Sequence, residues 1–151
     1  MLDNSSATHK CLPDTRISRY HPQTPDKGPK EQLLTLEHNL RRQELAAQND
    51  QVREFLSLDD SFHQLLTQIA NCPLAWETIE SIKATMDRVR FLSLSQVSPP
   101  PSLIQQHYLI FSALKARDPD AAEKAIREHL QEMIYSITPI AQQNSDWFEH
   151  A

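Results

Sequence analysis

One carboxylate and three imidazoles stand where a helical core would bury them. Asp59 and His63 are four residues apart in Leu58-Asp59-Asp60-Ser61-Phe62-His63-Gln64-Leu65-Leu66, and His107 and His129 lie on later stretches. Each falls on or beside the apolar face of a segment with helical periodicity. Such a face is a costly place for an imidazole or a carboxylate unless a partner satisfies it. Residues four apart on a helix can reach a common point, so Asp59 and His63 can serve one ligand. Two chemistries meet the requirement. Each side chain can be hydrogen-bonded separately in the core, or all four can converge on a divalent ion. Three imidazole nitrogens with one carboxylate suit Zn, Ni, Mn or Fe(II), and they leave coordination positions for water or for the carboxylate of a bound molecule.

A metal ion with an open position can also activate water, which brings a hydrolase into view. The chain has no HExxH segment and no obvious carboxylate beside the four candidates to act as general base. The expected class is therefore a binding module and not an enzyme. A metal-free structural or dimerisation bundle is the alternative.

The elements that must position these residues read as helices. Over residues 31–48, Leu33, Leu36, Leu40 and Ala47 recur at helical spacing, with Glu and Arg on the other face. Asp50 is placed to cap a second helix over 51–70, whose stripe of Phe55, Phe62, Leu66 and Ile69 is interrupted by Asp59. Cys72-Pro73 restarts the chain, and a third helix over 73–92 would bury Leu74, Ile79, Ile82, Met86 and Val89. Pro99-Pro100-Pro101 ends the linker that follows. On a fourth helix over 102–116, Leu103, His107, Ile110 and Leu114 share one face. Asp118-Pro119 supplies a cap and a first-turn proline for a fifth helix. Its inward face carries Ala122, Ile126, His129, Met133 and Ile137, and Pro139 should kink or end it. The sum is an all-α, mostly antiparallel bundle.

Composition agrees with one such domain. The 151 residues can bury a single core, and 39% hydrophobic with 23% charged residues is a globular balance. A single glycine argues against a β-rich fold with many tight turns. No apolar run reaches the length of a membrane span. The net charge of −5 gives no reason to expect nucleic-acid binding by this chain alone. Cys11 and Cys72 form neither a CxxC pair nor a disulfide framework, which points to a reducing, cytoplasmic setting. Residues 1–29 carry the only glycine and no apolar period, and read as a disordered or aberrant leader. The bundle should occupy 30–140, and a polar tail 141–151.

Three motifs then carry a resemblance. Asp59-x-x-Phe62-His63 comes first, followed by Gln106-His107-x-x-Ile110-x-x-Ala113-Leu114-x-x-Arg117-Asp118. The third is Ala121-Ala122-x-x-Ala125-Ile126-x-x-His129-Leu130. In this order, over residues 31–137, they resemble the C-terminal ligand-sensing domain of FadR-type GntR transcriptional regulators. The resemblance implies an antiparallel bundle with a central cavity, in which a divalent metal helps to bind a small organic acid. The family's aspartate and three histidines fall on Asp59, His63, His107 and His129. An arginine on the third helix often lines the cavity, and Arg88 is the nearest match. Family members carry a winged helix-turn-helix domain ahead of this one, then a first sensing-domain helix, and residues 1–28 resemble neither. The expectation is thus a truncated sensor that cannot bind DNA alone. It would act as a homo-oligomer or beside a full-length regulator subunit.

Overall fold

Proline sets the helix starts in this chain. Its missing N–H is one that a first turn leaves without a helical acceptor in any case, and its ring holds φ near the helical value. In a computed structural model, residues 28–96 and 99–143 are described, with the side chains of 82–86, 88, 89, 92, 95, 96, 136, 137, 141 and 143 outside that description. Five helices and no strand occur among the described residues: α1 (Pro29–Gln48), α2 (Val52–Ile69), α3 (Pro73–Gln96), α4 (Pro100–Ala116) and α5 (Pro119–Gln143). Four of them open on proline, at the expected starts of α3 and α5 but two residues ahead of the expected starts of α1 and α4. The expected leader lies outside the described residues up to residue 27, and the expected tail does so from residue 144.

The reversals between helices are short and use left-handed residues. Asp50, Asn71 and Arg117 have φ of 53°, 52° and 56°. Asp50 was expected to cap α2, but Gln51 precedes that helix and no side chain caps it. Only residues 49–51 separate α1 from α2. Turning the chain in that space takes a positive φ, which Asp tolerates better than most side chains. Asp118 does cap α5, its Oδ1 accepting the Ala121 N–H at 3.0 Å. Pro139 does not end α5, which runs on to Gln143. Proline removes the bond to the carbonyl four residues back. Here that carbonyl belongs to Tyr135, which is exposed, as is Pro139, so solvent can satisfy it. Cys72, at the turn before α3, is disulfide-bonded, a correction to its reading as isolated.

Packed pairs of helices close a ring in the order α1, α2, α3, α5, α4 and back to α1. Two apolar clusters fill it. Leu36 and Leu40 of α1 meet Phe62 of α2 and Ile110 and Phe111 of α4 in one. Ala46, Phe55, Leu58, Leu94 and Ile104 form the other. Between the clusters runs a polar layer: Gln43 lies between Leu40 and Ala46, Asp59 between Leu58 and Phe62, and His107 between Ile104 and Ile110. The third helix departs from expectation. Leu74 and Ile79 are exposed, because the first turns of α3 are at most half-buried and its described buried residues, Ser93 and Leu94, come near its far end. Ile82, Met86 and Val89 have side chains outside the described set, as does Ile137 of α5.

Phe62 is fully buried and belongs to the first cluster. Phe62→Ala should destabilise the fold by about 3–5 kcal/mol, the usual cost of a large core deletion. A lowered urea midpoint without loss of the unfolding slope would report it.

Candidate metal centre

The four candidate residues come together in the polar layer. Asp59 and His63 stand one turn apart on α2, His107 reaches in from α4 and His129 from α5. Asp59 Oδ1 lies 3.3 Å from His107 Nε2 and 3.8 Å from His63 Nε2. His63 Nε2 and His129 Nε2 are 3.3 Å apart. One nitrogen from each imidazole falls within 4.8 Å of the others, a grouping that could hold a metal ion. The rings pack accordingly. His63 stacks on His129 with centroids 5.1 Å apart, and His107 meets both edge-on. Phe62 covers the other side of His107, stacked at 4.4 Å.

Two features fit these residues to an ion. His107 Nε2 is buried and has no hydrogen-bond partner among the described residues, a cost that an interior normally avoids. Two nitrogens held about 2.1 Å from a tetrahedral ion stand about 3.4 Å apart, close to the His63–His129 spacing. Two of the far ring nitrogens are occupied. His107 Nδ1 lies 2.9 Å from Gln43 Oε1, and His129 Nδ1 lies 2.7 Å from Gln106 Oε1. Such partners on the far nitrogen orient metal-binding imidazoles.

Charge follows burial. Desolvation pushes the Asp59 carboxyl up, yet His63, His107, Arg90 and His129 together carry it below the usual carboxylate range. Burial drives His107 down to about 3, helped by its two histidine neighbours and Arg90 against the pull of Asp59. Burial and His63 likewise take His129 down to about 4. Both rings are neutral near pH 7, the form that binds metal.

Three contributors escape a reading of the sequence. Arg90 on α3 pairs with Asp59, and also with Asp60 at 2.8 Å and Asp87 at 3.1 Å. It is the arginine whose described side chain reaches the site. Arg88 stands two residues earlier, about 200° round the helix, and its side chain lies outside the described residues. Asn39 and Gln43 of α1 are buried. They sit at i+3 and i+7 from Leu36, so their spacing carried the signal although their polarity concealed it.

Two outcomes follow. Arg90→Ala would leave Asp59 buried without its cation and should cost about 3 kcal/mol, the low end for breaking a buried pair, measured by chemical denaturation. In the metal-free chain, His107 and His129 bind protons more readily unfolded than folded. Stability should therefore be full above about pH 6.5, the unfolded histidine pKa, and fall as pH drops toward the folded values near 4 and 3. Asp59, whose folded pKa is also lowered, extends the loss in the same direction below that window. Thermal midpoints against pH should show a slope that flattens in His129→Gln.

Comparison with known proteins places the chain in a family. The FCD domain family matches residues 24–132. An HTH-type transcriptional repressor, RspR, of Escherichia coli K12 is 56% identical over 117 residues, covering 78% of this chain and 51% of the relative. An uncharacterised HTH-type transcriptional regulator, YdfH, of Shigella flexneri matches to the same extent. A regulator in an unstable DNA locus of Streptomyces ambofaciens is 32% identical over 97 residues, covering 64% of this chain and 41% of the relative. The chain thus spans about half the length of the curated relatives it matches. No solved structure matches it. With most of its length matched and an all-helical ring around the three motifs, the chain belongs to the FCD family, the ligand-sensing regulatory domain of GntR-type transcriptional regulators.

Proposed function

We propose that residues 29–143 form an effector-sensing module whose polar centre binds a divalent ion through Asp59, His63, His107 and His129. The observation that carries this reading is the inward convergence of the three histidines, with His107 Nε2 buried and unpartnered among the described residues. A bound Zn, Ni or Mn ion would supply a Lewis-acidic positive centre able to accept the carboxylate of a small organic acid. The chain's own groups do the rest. Arg90 keeps Asp59 ionised and fixes Oδ2, while Oδ1 is left toward the imidazoles. Phe62 and the apolar clusters exclude water from one side of the layer.

Sensing requires that the effector bind one conformation of the bundle better than another, because equal affinity shifts nothing. Relatives that this chain resembles are named as transcriptional regulators. A shift in the ring of helices would, in such a protein, be passed to DNA-reading elements. We assign assembly to a second copy of this chain or to a full-length regulator subunit. The module is read as a binding domain without catalysis, working in the cytoplasm. Among the described residues, no helix is long and apolar enough to cross a membrane.

Elemental analysis of the purified chain tests the reading. Close to one Zn, Ni or Mn per chain is expected, lost in His107→Ala/His129→Ala. A wild-type chain that stays metal-free after resupply would sink the sensor reading in favour of a structural or dimerisation bundle.

A further inference from the structure

Which end of a buried amide is oxygen follows from what it faces. The carbonyl oxygen of Leu58 can only accept, and Asn39 Nδ2 donates to it at 3.0 Å. Asn39 Oδ1 is thereby turned to Gln43, whose Nε2 donates to it at 2.7 Å. Gln43 Oε1 is left facing His107 Nδ1 at 2.9 Å. An amide oxygen brings no proton, so the proton of this hydrogen bond belongs to Nδ1. A neutral imidazole has one N–H, and His107 Nε2 is bare. The alternative would place the proton on Nε2 toward Asp59 Oδ1 at 3.3 Å, where the arrangement makes no hydrogen bond.

A second relay does the same for His129. The Glu132 carboxylate accepts from Gln106 Nε2. This turns Gln106 Oε1 to His129 Nδ1 at 2.7 Å and leaves His129 Nε2 bare beside His63 Nε2. Two chains of amides, one anchored on a backbone carbonyl of α2 and the other on a carboxylate of α5, end with the same result.

We propose that Gln43, held by Asn39, and Gln106 are positioning residues that keep the protons of His107 and His129 on Nδ1, so that both Nε2 lone pairs face the centre. Its consequence for metal affinity rests on the sensor reading above, whereas the tautomers themselves do not. Gln43 comes from α1, a helix that supplies none of the four candidate ligands. Removing its oxygen leaves Asp59 as the remaining acceptor near the His107 ring. The proton then moves to Nε2 and blocks the ligand atom.

Two-bond 1H–15N correlation spectra of the metal-free 151-residue chain, labelled in histidine, test this directly. The wild type should show both His107 and His129 protonated at Nδ1. Gln43→Met should move His107 alone to the Nε2–H form, and Gln106→Met should change His129 alone. Helical circular dichroism should be retained, and zinc affinity should fall about 10–100-fold in each variant, as for other outer partners of ligating histidines. Nε2–H at either ring in the wild type would overturn the proposal. So would folded variants that keep the wild-type tautomers, since a purely structural role lowers the thermal midpoint and leaves the proton where it was. If Gln43→Met fails to fold, the wild-type spectrum and Gln106→Met, at a half-buried position, still decide it. A wild type with both Nδ1–H forms that takes up no zinc would support the relays while removing the metal reading.

Discussion

Asp59 must remain ionised at a position only 7% exposed, and the rest of the bundle is arranged around that demand. A lone buried carboxylate would neutralise itself by taking a proton. Here Arg90 comes across from α3 to one oxygen, and the other faces the imidazoles of His63 and His107. Removing Arg90 would leave an uncompensated charge between two apolar clusters. Asp60 and Asp87 share the same guanidinium, so Arg90 ties α3 to two carboxylates of α2 and one of its own helix.

The polar layer also explains why the helices sit where they do. All five contribute to it: Gln43 from α1, Asp59 and His63 from α2, Arg90 from α3, His107 from α4 and His129 from α5. Apolar packing above and below is non-directional and would tolerate some sliding. Hydrogen bonds between amides and rings do not, because each has one acceptable partner at one distance. The clusters supply the driving force, and the layer selects the register.

Much of this was legible in the chain. The helical period of α1, α2, α4 and α5 comes from apolar residues at regular spacing, and proline marked the starts of α3 and α5. Asp59, His63, His107 and His129 stood out because they broke apolar stripes. What stayed hidden is polar residues at core spacing in helices otherwise rich in charge. Asn39 and Gln43 share a stripe with Leu36 and Leu40, but in a segment of Glu, Arg and Gln they resemble a solvated face. Arg90 carried no signal of its own, since nothing local says that it meets an aspartate thirty-one positions away. The third helix was the hardest to read, because its described buried residues lie near one end, while Leu74 and Ile79 toward the other are exposed. Asp50 was misplaced as a cap because the tightness of a reversal is a property of the two helices it joins, not of the residue.

The left-handed reversals have a practical side. Asp50 and Asn71 belong to the types that enter this conformation with least strain, but Arg117 does not, and an ordinary side chain there costs roughly 1–2 kcal/mol. Arg117 is the C-cap of α4, between the helices that deliver His107 and His129. An engineer seeking a more robust scaffold could therefore work at this solvent-exposed corner, where a residue without a β-carbon would relax the backbone and leave every group of the polar layer in place.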